Sequence, residues 1–170
     1  KVKAGTSVAL VGATGSGKST IVNLICRFYE PTSGEILIDG KNYKERSIGW
    51  LHENLGYVLQ TPHLFNGTIM ENIRYGRLEA TDEEVYAAAK AVNADEFIEQ
   101  LDMKYDTNVG EGGAKLSLGQ RQLISFARAL VADPKILILD EATSSIDTKT
   151  EVLIQEVINK LLKGRTTFIV

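Results

Sequence analysis

Eight consecutive residues, Gly12, Ala13, Thr14, Gly15, Ser16, Gly17, Lys18 and Ser19, fit the phosphate-binding pattern G-x-x-x-x-G-K-[ST] without a mismatch. The chemistry is that of an anion cradle. Glycines let the backbone curl until its N–H groups converge on phosphate oxygens, and the helix that follows adds the positive end of its dipole. In such a loop Lys18 reaches the β- and γ-phosphates and the Ser19 hydroxyl binds Mg²⁺. A second group is the acidic pair Asp140 and Glu141, which closes the apolar run Ile136, Leu137, Ile138, Leu139. An Asp at that point helps hold Mg²⁺, and the adjacent Glu141 could polarise an attacking water as a general base. An acidic pair after a strand is by itself an ordinary solvated loop start. The apolar residues before it and the phosphate loop upstream favour the chemical reading. A third group is Leu116, Ser117, Leu118, Gly119, Gln120. Ser117 and Gln120 have the spacing of a capping box. The same helix N-terminus, with a Ser hydroxyl and a Gly N–H, is an anion site suited to a γ-phosphate. Capping and phosphate binding compete for the same donors, so a nucleotide could complete the cap.

These groups need elements to hold them. Residues 7–11 form an apolar run that reads as a buried strand before the loop, and residues 20–25 carry apolar side chains at helical spacing after it. Residues 35–40 read as a strand ending in the Asp39-Gly40 turn, and residues 56–60 as another short strand closed by Thr61 and Pro62. The character then becomes helical. Thr81 to Glu84 is a capping box, with Val85, Ala88, Ala89 and Val92 following on one face. Asp95 is expected to cap a short helix through Phe97, Ile98 and Leu101. After a glycine-rich loop at 107–113, a helix buries Leu123, Phe126, Ala127 and Leu130 and stops at Asp133-Pro134. Residues 136–140 suit the centre of a parallel sheet. A helix over 148–162 turns Ile154, Val157, Ile158 and Leu161 inward, and residues 166–170 read as a buried strand that stops without a turn, as expected of a piece of a longer chain. The pattern is α/β flanks around a helical middle, with residues 1–61 and 121–170 forming the core and 62–120 an inserted helical subdomain.

Composition sets the outer bounds. The 170 residues suffice for one domain with a real core, and 44% hydrophobic with 24% charged residues is ordinary globular usage. A net charge of −3 argues against broad nucleic-acid binding, which needs a basic face. The single cysteine, Cys26, has no internal disulfide partner and is expected to be a small buried residue. No apolar run approaches the roughly 20 residues that span a bilayer.

Taken in order, these motifs resemble the nucleotide-binding domain of an ATP-binding cassette (ABC) transporter over nearly the whole chain. The phosphate loop corresponds to Walker A, and residues 136–140 to Walker B with Glu141 at the catalytic glutamate. Residues 116–120 resemble the signature L-S-G-G-Q, Gln60 the Q-loop glutamine, and Ser145, Ile146, Asp147 the D-loop. Many NTPases share a lone phosphate loop; five motifs in this order are far more specific. The stretch from Gln60 through Phe65 to Ile73, and residues 140–151, resemble the exporter class, as do residues 107–113, which resemble its X-loop T-E-V-G-E-R-G. There are departures. Leu118 replaces the first signature glycine, Asn108 and Gly112 replace charged X-loop residues, and Ile146 replaces Leu.

The resemblance implies a P-loop NTPase (RecA-like) α/β fold, a mostly parallel sheet with an inserted α-helical subdomain. It implies ATP and Mg²⁺ as ligands, with nucleotide contacts from Gly12, Thr14, Gly15, Ser16, Gly17, Lys18, Ser19 and Thr20, and from Ser117, Gly119 and Gln120 of a second domain in trans. Ser19, Gln60 and Asp140 would hold the metal, and Glu141, Gln60 and Lys18 would act in catalysis. The implied partners are a second nucleotide-binding domain and a transmembrane domain, at the cytoplasmic face of a membrane, and not nucleic acid. The adenine-stacking aromatic and the switch histidine are expected outside residues 1–170. Tyr29, Tyr43 and Tyr57 read as structural, and His52 and His63 as loop or surface residues. Two rival readings stay in view. Soluble ABC ATPases of DNA repair or chromosome structure carry a long coiled coil between Walker A and signature, whereas Lys18 and Ser117 stand 99 positions apart with no heptad run. A regulatory module with a dead site is disfavoured by the intact Glu141 and Gln60.

Overall fold

A computed structural model describes residues 1–59, 61–140 and 148–170, with side chains of the last segment described from Val152 onward. Its centre is a four-stranded parallel sheet in the order β1-β6-β5-β4, from β1 (Ser7–Ala9), β4 (Leu55–Val58), β5 (Ile136–Leu139) and β6 (Thr166–Ile169). The expectation for β5 holds. It lies between two strands, with Leu137, Ile138 and Leu139 buried. The register pairs Tyr57 with Ile138 and Val58 with Leu139 on one side, and Leu139 with Ile169 on the other. A separate antiparallel hairpin joins β2 (Leu37–Ile38) to β3 (Lys41–Asn42). Asp39 and Gly40 turn it with φ of 50° and 74°, the paired positive φ values of a type I′ turn.

One expectation for the sheet fails. Residues 7–11 are not a buried strand: Ser7 and Ala9 are exposed, Val8 is half-buried, and Val11 is 91% exposed. The reason is position. β1 is the sheet edge and pairs only with β6, so an apolar run that a central strand would bury stays open among the described residues.

Seven α-helices surround the sheet among the described residues: α1 (Lys18–Ile25), α2 (Ile48–Glu53), α3 (Ile69–Arg74), α4 (Asp82–Ala91), α5 (Asp95–Ile98), α6 (Leu118–Val131) and α7 (Thr148–Leu162). Thr68, Thr81 and Ser117 each form a full capping box, with Glu71, Glu84 and Gln120 returning the bond. Each satisfies two backbone donors that a bare helix end would leave to water. Asp95 does not cap α5. Asn93 takes a left-handed φ of 56°, the Ala94 N–H closes on Ala89 O at 2.8 Å, and Ala94 becomes the cap. Asp95 instead lies inside the first turn, where its charge complements the helix dipole.

The main core gathers the apolar stripes of α3, α4, α6 and α7 against β4 and β5. It contains Ile73, Val85, Phe126, Leu137 and Ile154, each with no accessible surface. A smaller cluster of Val22, Cys26 and Ile138 lies between α1 and the sheet, packed by Leu55, Tyr57 and Phe168. Burial pushes the Cys26 thiol up to about 12, so it stays protonated and inert at neutral pH. His52 is exposed as expected, but it lies on α2 rather than in a loop, with its Nε2 3.1 Å from Cys26 O.

Gly76, two residues past the end of α3, lies against the backbone of α6. A Cβ there would overlap the Arg128 carbonyl, a backbone atom that cannot swing aside. Gly76→Ala is therefore expected to cost about 3 kcal/mol by overpacking, lowering the melting temperature by about 6–12 °C in a domain of this size. Thermal unfolding checks this; a melting point within a degree or two of the parent would show that the two helices separate freely.

Candidate functional site

β1 delivers the chain into the loop at 10–17, and α1 takes it out. Gly15 and Gly17 hold φ of 83° and 93°, a conformation that side chains with a Cβ rarely adopt. Gly17 is the α1 N-cap and has no side chain to cap with. The first N–H groups of α1, on Lys18, Ser19 and Thr20, accordingly find no hydrogen-bond acceptor among the described residues, and the ladder begins with Ile21 N–H on Gly17 O at 3.0 Å. A helix end left bare in this way is an anion site. Lys18 crosses the loop, its Nζ donating to Gly12 O at 2.7 Å and Ala13 O at 3.0 Å. Gly12 also keeps the loop tight: a Cβ there would stand 2.5 Å from Ser16 Oγ.

The loop mouth opens into a cleft of about 280 Å³, lined by Thr14, Gly15, Gly17, Lys18, Ser19, Thr20, Asp140 and Val170. Residues 122 positions apart, Lys18 and Asp140, are thus brought together. The parallel sheet does this, because β1 and β5 both end at the same edge and deliver their following residues there. Asp140 is fixed by its N–H on Val58 O at 3.0 Å, and its Oδ2 accepts from the Tyr57 hydroxyl at 3.2 Å. The donor set suits a magnesium phosphate: bare N–H groups and an ammonium for the phosphates, a hydroxyl and a carboxylate for a hard cation.

Ser117, Gly119 and Gln120 stand apart from this cleft, at the start of α6, and none of them lines it. Ser117 Oγ accepts from Gln120 N–H at 3.2 Å while Gln120 Oε1 accepts from Ser117 N–H at 2.9 Å. Ser117 remains exposed. Arg121 ties this end to the preceding loop through its Nη1, which donates to Leu116 O at 2.9 Å. That loop is itself paired with the segment entering α3: Ile69 N–H donates to Thr107 O, and Val109 N–H to Gly67 O. Gly112 holds a φ of 61°, which accounts for a glycine at that departure from the X-loop pattern. Gln60, Glu141 and the triplet Ser145, Ile146, Asp147 lie outside the described residues.

Three residues of consequence escaped sequence reasoning. Val170 lines the cleft, Tyr57 holds Asp140, and Arg128 clamps the segment that follows position 60. The Arg128 guanidinium donates to Asn72 O, Asn72 Oδ1 and His63 O at 2.8–2.9 Å, joining that segment to the helix that Ser117 caps. Burial lowers its pKa to about 10, still far above neutrality, so it remains charged. Their only signal in the sequence was proximity to motifs; what they touch depends on strand pairing and helix packing.

The ABC transporter family model matches residues 1–144. The chain belongs to the ABC transporter family. Within it, the chain corresponds to the nucleotide-binding domain of exporter-type members and has their P-loop NTPase fold. The "Uncharacterized ABC transporter ATP-binding protein YfiC" of Bacillus subtilis (strain 168) is 58% identical over 99% of this ABC domain and 28% of its own length. "ABC transporter B family member 2" of Dictyostelium discoideum is 51% identical over 99% of the domain and 12% of its own length. Among solved structures, a bacterial Atm1-family ABC exporter with ATP bound superposes with a TM-score of 0.90 at 48% identity, over 99% of the domain and 29% of that chain. The domain thus spans between about an eighth and three tenths of these relatives.

Proposed function

We propose that this domain binds and hydrolyses Mg-ATP, and that two such domains close on two nucleotides to drive export by an attached membrane domain. The observation that carries the reading is the cleft where bare N–H groups of α1, the Lys18 ammonium, the Ser19 hydroxyl and the Asp140 carboxylate converge. Gly12, Thr14, Gly15, Ser16, Gly17 and Thr20 complete the cradle around the phosphates. Ser19, Asp140 and Gln60 would hold Mg²⁺, which neutralises charge on the phosphate oxygens when bound. Glu141 takes a proton from water as its oxygen bonds to the γ-phosphorus. The bond from that phosphorus to the β–γ bridging oxygen breaks, and ADP and phosphate leave. The capped end of α6 does not line its own domain's cleft, which supports a role for Ser117, Gly119 and Gln120 on the partner domain's nucleotide.

In this reading the γ-phosphate holds the pair closed, and its loss removes differential binding and lets the pair open. Residues 62–120 move as a helical unit relative to 1–61 and 121–170 when nucleotide binds. Among the described residues no helix is long and apolar enough to cross a membrane. The transporter's own membrane domain supplies the span, with this domain at its cytoplasmic face.

The test is the mass in solution, by light scattering, of a Glu141→Gln domain carrying flanking sequence at both ends, in Mg-ATP and then in Mg-ADP. A dimer with ATP alone is the expected result. A monomer in both would count against the sandwich and favour a nucleotide-binding module with a dead signature.

A further inference from the structure

Asp140 is held from one strand by two different bonds. Its N–H donates to Val58 O at 3.0 Å, continuing the β4–β5 ladder, and its Oδ2 accepts from the hydroxyl of Tyr57, the preceding residue on β4. The register explains how that hydroxyl arrives. Tyr57 pairs with Ile138, two residues short of Asp140, a gap of about 6.6 Å along a strand. Only a long side chain with a polar tip covers that gap.

The ring is positioned in turn. It packs with Leu55, Phe168 and Val170 around Val22, Cys26 and Ile138, and its centroid lies 6.1 Å from that of Phe28. Val22 and Cys26 come from α1 and the residue that ends it, the same helix that begins with Lys18 and Ser19. One side chain therefore braces both halves of the cation-holding set, the α1 helix under its ring and the β5 carboxylate at its tip. The other carboxylate oxygen, Oδ1, has no hydrogen bond among the described residues.

We propose that Tyr57 is a positioning residue for the metal side of the phosphate site: its hydroxyl fixes the Asp140 carboxylate so that Oδ1 faces the nucleotide's Mg²⁺. This rests on the reading of Asp140 as a metal-holding group. A hydrogen bond that orients a ligating carboxylate commonly sets metal affinity by 10- to 100-fold. With a second bond on the backbone already restraining Asp140, the lower figure applies.

The experiment compares Tyr57→Phe and Asp140→Asn with the parent in the full transporter chain. Tyr57→Phe keeps the ring and its packing and removes only the donor. Mn²⁺ binding in the presence of saturating ADP is followed by electron paramagnetic resonance, nucleotide affinity is measured in EDTA, and thermal unfolding is recorded without ligands. The expected result for Tyr57→Phe is about tenfold weaker Mn²⁺ binding, unchanged nucleotide affinity in EDTA and an unchanged melting point. A lowered melting point with parental Mn²⁺ affinity would mean a purely structural tyrosine and would overturn the proposal. Weakened Mn²⁺ binding in Asp140→Asn alone would overturn it too, while leaving the reading of Asp140 intact. Parental Mn²⁺ affinity in Asp140→Asn would instead overturn that reading, and the proposal with it.

Discussion

Lys18→Ala is expected to weaken Mg-ATP binding by about 10²-fold or more. Lys18 is the one cation among the described residues that line the cleft, and Asp140 is the one carboxylate there. A triphosphate brings several negative charges into that setting. Removing the ammonium leaves them facing N–H dipoles and another anion. A hydrogen bond to a charged group contributes about 1.5–3 kcal/mol, and about 1.4 kcal/mol is a factor of ten, so losing two such contacts reaches or exceeds the stated loss. The free protein should hardly notice. Lys18 is only half-buried, and the carbonyls of Gly12 and Ala13 that it bonds lie on exposed residues that water can serve instead. The check is a titration with Mg-ATP alongside a melting curve of the unliganded domain. Unchanged affinity would refute the phosphate-cradle reading.

Glu141→Gln should leave that affinity intact and reduce turnover by about 10²–10⁴, the usual worth of a positioned general base. The amide keeps the shape of the carboxylate and an accepting oxygen, but it cannot take the proton that water must lose. The residue before it, Asp140, extends the β4–β5 ladder through its N–H on Val58 O and lines the cleft. Single-turnover hydrolysis with bound Mg-ATP separates this from a binding defect. Parental turnover in that assay would move the base to another residue. The two substitutions divide the site into a part that binds and a part that reacts.

Much of this arrangement is legible in the sequence. The phosphate loop, the apolar β5 ending in an acid and the capping boxes at Thr81 and Ser117 are local patterns, and local geometry follows from a few neighbouring residues. The inward faces of α4 and α7 followed from helical period alone, and Val85, Ala89, Ile154 and Val157 have no accessible surface. The misreadings share one cause. Val11 reads as core because it is apolar, and only the edge position of β1 exposes it. Asp95 reads as a cap because of its type, yet the left-handed Asn93 shifts the helix start by one residue.

Before any fold is known, the chain already assigns the chemistry this domain carries: which residues can cradle phosphate, hold a cation or take a proton, and in what order along the chain. These are properties of residue type and short spacing. Tertiary pairing, by contrast, sets which side chains secure these groups: Tyr57 at Asp140, and Arg128 at His63 and Asn72. Those relations depend on strand order and register, and a parallel sheet sets them through contacts between segments far apart in the chain. A tyrosine on β4 becomes a partner of Asp140 because Tyr57 pairs with Ile138, a fact that exists only once β4 lies beside β5.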